Sequence, residues 1–364
     1  MESSQRLRQD LERSRRGRPD LERFLRTRRS AVNQGRFSVP RLSCVIPVVG
    51  SCEDLETTLV SILEHRPDDC EIIVVLNRPY ADPYGLEDEV RFVEFLGAGM
   101  AACATLGIRL SRASIVHVLA AGLEVLESWT EPALSHFADP EVAAVAPVIR
   151  DAAKPARVLA AGVCYHRGGR RSICKSAPNE AGSRSQALGP TIEAGFYRKT
   201  ALEALGDGLP TNLGDELADV DLALGLHYAG FETVVEPQCV VFADRLTGSE
   251  RSGFSAGLHA ERMFLRNLPV TGWLPACLLH PFAVFEELLR SLPRGSTLTQ
   301  IAGRLAAWFS LVDYRLHHHL LGVAREIVNR EIAERAVIAK LPVPVKAAIE
   351  STARTARRRK VRAG

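Results

Sequence analysis

Apolar and polar positions alternate along the middle of this chain in two distinct periods. LSCVIPVV (42–49) is a continuous apolar, β-branched run ending at Gly50, the pattern of a buried strand. CEDLETTLVSILEH (52–65) carries Leu55, Leu59, Ile62 and Leu63 at helical spacing. EIIVVL (71–76) and VRFVEF (90–95) predict two more strands, and MAACATLGIRLSRA (100–113) a small-residue helix. SIVHVLA (114–120) predicts a fourth strand, and a helix over 128–138 leads to a strand at VAAVAPVI (142–149). Strands alternating with helices through short connections predict a mostly parallel α/β sheet with helices on both faces. In such sheets ligands bind at the carboxyl ends of the strands.

Beyond 150 the alternation loosens. Residues 157–171 suggest a hairpin, and 175–190 are rich in turn-formers and predict a mobile loop. TIEAGFYRKTALEALG (191–206) reads as strand then helix, and Leu217–Ala229 as a helix ended by Gly230. FETVVEP and CVVFA predict two short strands, 252–268 a helix, and everything from 273 onward more helix. Leu298, Ile301, Leu305, Trp308, Val312, Leu316, Leu320, Val323 and Ile327 recur every 3.6 residues on average. That stripe should be buried on the core, a partner or a lipid surface.

At 364 residues, with 46% hydrophobic and 24% charged side chains, the chain has ordinary globular composition, which excludes wholly disordered and collagen-like classes. The net charge of +3 is unevenly spread: +6 over 1–40, −9 over 41–350 and +6 over 351–364. The expected organisation is a basic extension (1–40), an α/β domain (41–270), a helical region (271–350) and a basic tail (351–364). The tail ARTARRRKVRAG (353–364) lacks interleaved aromatics, which argues against nucleic acid and leaves an anionic membrane surface or plain solvent. None of the eight cysteines is spaced as CxxC, so they read as small hydrophobes in a reducing, cytoplasmic setting, with no secretory leader at the Arg-rich start. His317, His318 and His319 point about 100° apart on a helix and cannot converge on one metal.

Five segments in order over 42–268 resemble glycosyltransferase family 2, whose members have the GT-A nucleotide-sugar fold. CVIPVVGSCEDLETTLVSIL resembles the family's opening strand and helix, and EIIVVLN its second strand. GAGMAACATLGIRLSRASIVHVLAAGLEVLESW resembles the helix, strand and metal loop. AGFYRKTALEALGDGLP resembles the segment before the acceptor site, and ADVDLALGLHYAGFETVVEPQCVV the one carrying the catalytic carboxylate. The resemblance implies nucleotide-sugar contacts around Pro47, Val49, Glu53 and Asn77, and Asp219 as the base that deprotonates an acceptor hydroxyl. Read from its position alone, Asp219 is equally an acid in a helix's first turn.

The polar residues of the family pattern are largely replaced. Leu76 stands at the base-contacting aspartate, Ala104 at an arginine, and Ala120, Ala121 and Gly122 at the metal-binding Asp-x-Asp. Ala218 stands at the first acid of a Glu-Asp pair, and Ala243 at a histidine. The divalent metal expected for the family therefore lacks its ligands, so no metal cofactor is expected. Glu124 lies near that loop, and Arg167, Arg170, Arg171, Arg198 and Arg245 are the cations available to a phosphate. Two functions stay open. One is a pseudo-glycosyltransferase that binds a glycan or a partner. The other is an active divergent enzyme moving a sugar from a nucleotide donor to a glycan or lipid acceptor. A peripheral position on the inner face of a membrane, or a protein partner, is conceivable through the C-terminal helices.

Overall fold

The computed structural model describes residues 39–166, 168–176, 187–206, 208–246, 253–268, 273–291, 297–310, 321–322 and 325–326. The two basic ends, Arg167, most of the loop expected at 175–190, the three consecutive histidines, and Val312, Leu316, Leu320, Val323 and Ile327 lie outside these residues.

Eleven strands and eight helices are described: β1 (Leu42–Val48), α1 (Cys52–Glu64), β2 (Cys70–Leu76), β3 (Val90–Glu94), α2 (Met100–Leu110), β4 (Ile115–Leu119), β5 (Leu123–Val125), α3 (Glu131–His136), β6 (Val142–Asp151), β7 (Val158–Ala160), β8 (Val163–His166), β9 (Arg170–Ile173), β10 (Ala194–Arg198), α4 (Lys199–Ala204), α5 (Asp215–Tyr228), β11 (Glu232–Ala243), α6 (Gly253–Arg266), α7 (Trp273–Ser291) and α8 (Thr297–Ala307). One nine-stranded sheet runs β3-β2-β1-β4-β10-β6-β11-β5, with β7 beside β6, and β8 pairs β9 in a separate ribbon. All five strands expected over 42–149 lie in it. Six of its strands share one direction, while β5, β7 and β10 run against them. The expected hairpin is displaced to 163–173, and the two strands expected over 231–243 are one, with a register shift between Glu236 and Val240.

Local chemistry explains the first elements. Every residue of β1 is buried, which its apolar run permits. At the start of α1, Ser51 Oγ accepts from the Asp54 N–H while the Asp54 carboxylate accepts from the Ser51 N–H, a reciprocal cap. Leu55, Leu59, Ile62 and Leu63 then face the core as expected. Gly107 lets α2 lie close on the sheet, since a Cβ there would sit 2.3 Å from Val45 Cγ1. Gly230 follows α5 with φ +91°, as a helix C-terminal glycine.

One expectation is corrected. Cys164 and Cys174 form a disulfide across the β8–β9 ribbon, with Cα atoms 6.1 Å apart. The pairing comes from the antiparallel register, which puts Cys164 opposite Ser172, and not from any CxxC spacing. A reducing compartment thus loses its support from the cysteines. Of the C-terminal stripe only Leu298, Ile301, Leu305 and Trp308 are described, and they do not meet the core: Leu298 and Leu305 are 80% and 64% exposed, while α8 buries Gly303, Arg304 and Ala307, which leaves a partner or a lipid surface among the expected covers. No described helix is long and apolar enough to cross a membrane.

Candidate functional site

The carboxyl ends of β1, β2, β4 and β11 meet at one edge of the sheet. Asn77 N–H donates to Val48 O, and Ala121 N–H to Pro47 O, so the turns after β1, β2 and β4 are laced together. Gly122 continues this lacing: at φ +93° its N–H reaches Asp54 O and Thr58 Oγ1. Ala243, at the end of β11, pairs with Leu123. Pro47 is buried, Val49 half-buried, and Glu53 exposed in the first turn of α1. Asn77 braces the turn after β3, accepting from Gly97 N–H and donating to Ala98 O. The structure thus gathers Pro47, Val49, Glu53, Asn77 and Ala120–Gly122 at one rim.

Leu76, Ala104, Ala120, Ala218 and Ala243 all belong to the main apolar core, and Ala121 packs against it. None of these six side chains carries a polar group.

Asp219 reaches the same edge from α5, but from beneath. It is 1% exposed and does not face open solvent. Arg171, on β9, donates from Nε to both its oxygens at 3.0 Å and from an Nη to Oδ2 at 2.6 Å. The Ile192 and Val220 N–H groups complete its shell. Glu193, equally buried, has its carboxylate 3.7 Å from the same guanidinium, while its carbonyl accepts from Ala120 N–H. The Ile192–Glu193 segment is thus the bridge from Asp219 to the Ala120–Gly122 loop.

Two carboxylates share one guanidinium here. Burial pushes the Asp219 carboxyl up, with Arg171 and the two N–H groups pulling against it. Burial also pushes Glu193 up; Arg171 opposes and Asp219 reinforces the rise. Burial works against the Arg171 charge as well, but the two acids outweigh it and hold the guanidinium protonated.

Hard divalent cations take oxygen ligands. Ala120, Ala121 and Gly122 have no side-chain oxygen, and Asp219 and Glu193 are turned onto Arg171. Among the described residues no three His, Cys, Asp or Glu side chains are grouped to hold a metal ion. This donor set does not fit a divalent metal.

The remaining candidates scatter. Arg198 binds the carbonyls of Phe137, Asp139 and Val142, at the opposite edge of the sheet. Arg170 pairs with Glu287 of α7, and Arg245 is exposed just after β11. Glu124 sits on β5 opposite Phe242. Asp221 ties α5 to α6 through Arg266 and Asn267, each at 2.9 Å. Glu193 carries no motif and is not legible in sequence. Nor is the role of Asp215, which leaves its own helix to cap α2, accepting from Met100 and Ala101 N–H groups.

No family model matches the chain, and no curated protein matches it by sequence. Among solved structures it is similar to GalNAc-T7 with UDP, GalNAc and Mn2+, at a TM-score of 0.53 and 14% identity. That match covers 70% of this chain and 52% of the other, so the chain spans about half of that protein's length. It also matches the mannosyltransferase PcManGT from Pyrobaculum calidifontis in complex with GDP-Man and Mn2+, over 88% of this chain and 97% of that one, with 20% identity and a TM-score of 0.43. The mixed sheet with its surrounding helices is a GT-A-like fold, the fold of glycosyltransferases that use nucleotide sugars.

Proposed function

We propose that this chain is a family-2-like pseudo-glycosyltransferase. It binds a nucleotide sugar or glycan at the carboxyl edge of its sheet and does not carry out metal-assisted transfer. The observation that carries this reading is the grip of Arg171 on Asp219. A general base must offer a lone pair to the acceptor hydroxyl. In Asp219 both oxygens are taken up by a guanidinium and two backbone N–H groups, out of contact with solvent. The apolar side chains at Leu76, Ala104, Ala120, Ala218 and Ala243 support the same reading, because a leaving diphosphate needs charge stabilisation that they do not supply.

The test is a thermal-shift titration with UDP, GDP and dTDP sugars, with and without Mn2+, followed by an assay for donor hydrolysis. The expected result is stabilisation by one nucleotide class that is the same with and without Mn2+, and no turnover. Turnover of a donor that Asp219→Asn abolishes would instead establish the active enzyme, with Asp219 as base.

A further inference from the structure

The helical layer formed by α6, α7 and α8 is built inside out. On α7, Leu274, Leu278, Phe282, Phe285 and Leu289 follow one another at helical spacing, and all are at least half exposed. Trp273 and Leu279 widen the stripe, and the segment WLPACLLHPFAVF (273–285) contains no Asp, Glu, Lys or Arg. On α8 the outward residues are Leu298, Ile301 and Leu305, followed just beyond its end by Trp308 and by Phe309 at 93% exposure.

Three ionisable side chains point the other way. Glu261 of α6, His280 of α7 and Arg304 of α8 are all buried. His280 Nε2 lies 2.9 Å and Arg304 Nη1 3.0 Å from Glu261 Oε2. Burial alone would raise the Glu261 carboxyl, but the bonds from His280 and Arg304 outweigh it and hold it below its usual range. Arg304 also donates to Gly168 O in the β8–β9 turn. Contact between α6 and α8 is made by glycine. A Cβ on Gly257 would fall 1.9 Å from Gln300 O, and one on Gly303 2.0 Å from Phe254 O.

A helical layer in water buries its apolar stripe and exposes its charges. Small residues at the helix contact, ionic groups paired inside and apolar side chains outside are the arrangement suited to a hydrocarbon surround. An exposed apolar area of this extent marks an interaction surface. We propose that the outer face of α7 and α8 lies in the interfacial plane of an anionic lipid bilayer. The helices lie on the surface, since none is long and apolar enough to cross it. Charge complementarity selects the anionic surface: the sequence outside 41–350 carries +6 at each end. This inference is independent of whether the sheet edge is catalytic.

The experiment is flotation of the full chain with phosphatidylcholine vesicles, with and without phosphatidylglycerol, alongside size-exclusion chromatography. The test variant is Leu278→Glu with Phe282→Glu, two exposed positions, and its melting temperature is measured to confirm an intact fold. Wild type is expected to float with the phosphatidylglycerol vesicles. The double variant should lose roughly tenfold or more in partitioning with its melting temperature unchanged. Deleting 351–364 should weaken only the dependence on phosphatidylglycerol. Failure of the wild type to float would overturn the proposal. A wild-type dimer that does not float and that the double variant turns into a monomer would overturn it in favour of an interface between copies.

Discussion

Arg171 on β9 holds Asp219 on α5 with two nitrogens, although 48 residues separate them in sequence. The grip fixes a disulfide-stapled ribbon against a helix and occupies both oxygens of the Asp219 carboxylate. Removing Arg171 leaves the buried Asp219 carboxylate without its counter-charge, which typically costs about 3–5 kcal/mol. Arg171→Met should therefore lower stability by about that amount in urea unfolding. The double variant Arg171→Met with Asp219→Asn should recover a substantial part. Strictly additive losses would show that the two side chains do not interact in solution.

Placing carboxylates in the loop tests the metal argument directly. Ala120 is fully buried and Gly122 has φ +93°, so Ala120→Asp with Gly122→Asp buries one acid and strains the backbone at the other. The melting temperature should fall without metal. Asp54 lies close by, since a Cβ on Gly122 would be 3.6 Å from its Oδ1. Added Mn2+ should therefore recover part of the loss in the variant and nothing in the wild type. A variant indifferent to Mn2+ would mean that the loop does not aim the new carboxylates together.

His117 gives the domain an acid limb. It is fully buried on β4, stacked 3.8 Å from Phe196, and its Nδ1 lies 3.1 Å from Gly195 O, the geometry of a neutral ring donating to a carbonyl. Burial pushes it down to about 3. The unfolded chain takes up a proton near the ordinary histidine value, while the folded chain does not until much lower pH. The stability this group supplies is therefore full above pH ~6.5 and falls toward pH ~3, by about 1.4 kcal/mol per pH unit. His117→Gln should lose less stability than wild type between pH ~7 and ~5. Equal losses in the two proteins over that window would rule His117 out as the source.

The Cys164–Cys174 bond closes a short loop of sequence separation 10 around the ribbon that presents Arg171. Reduction, or Cys164→Ser, should cost about 2–3 kcal/mol. Because Arg171 is held from this ribbon, amide exchange at Ile192 and Val220 should quicken on reduction. Mass spectrometry without reductant should find six free thiols and one bridge. Eight alkylated cysteines in the native protein would refute the bridge.

The sequence by itself determined five strands and three helices of 42–149, though not the short β5, together with the α1 stripe and the end of α5 at Gly230. Each depends on a period or a cap written within a dozen residues, and burial of a continuous apolar run leaves few alternatives. The rim residues from Pro47 to Gly122 were named through the family resemblance and not by periodicity; the structure places them at or near the ends of β1, β2 and β4. Tertiary structure decided the rest. Arg171 was one arginine among several until the β8–β9 ribbon set it over Asp219, and Glu193 became a site residue only through its place between Asp219 and Ala120. Asp215 reads as an acid of its own helix, yet it caps α2, because packing of α5 offers it unsatisfied N–H groups closer than solvent. The apolar stripe of α8 was legible, but its direction was not. Periodicity defines a face, and only the glycine contact with α6 turned that face outward.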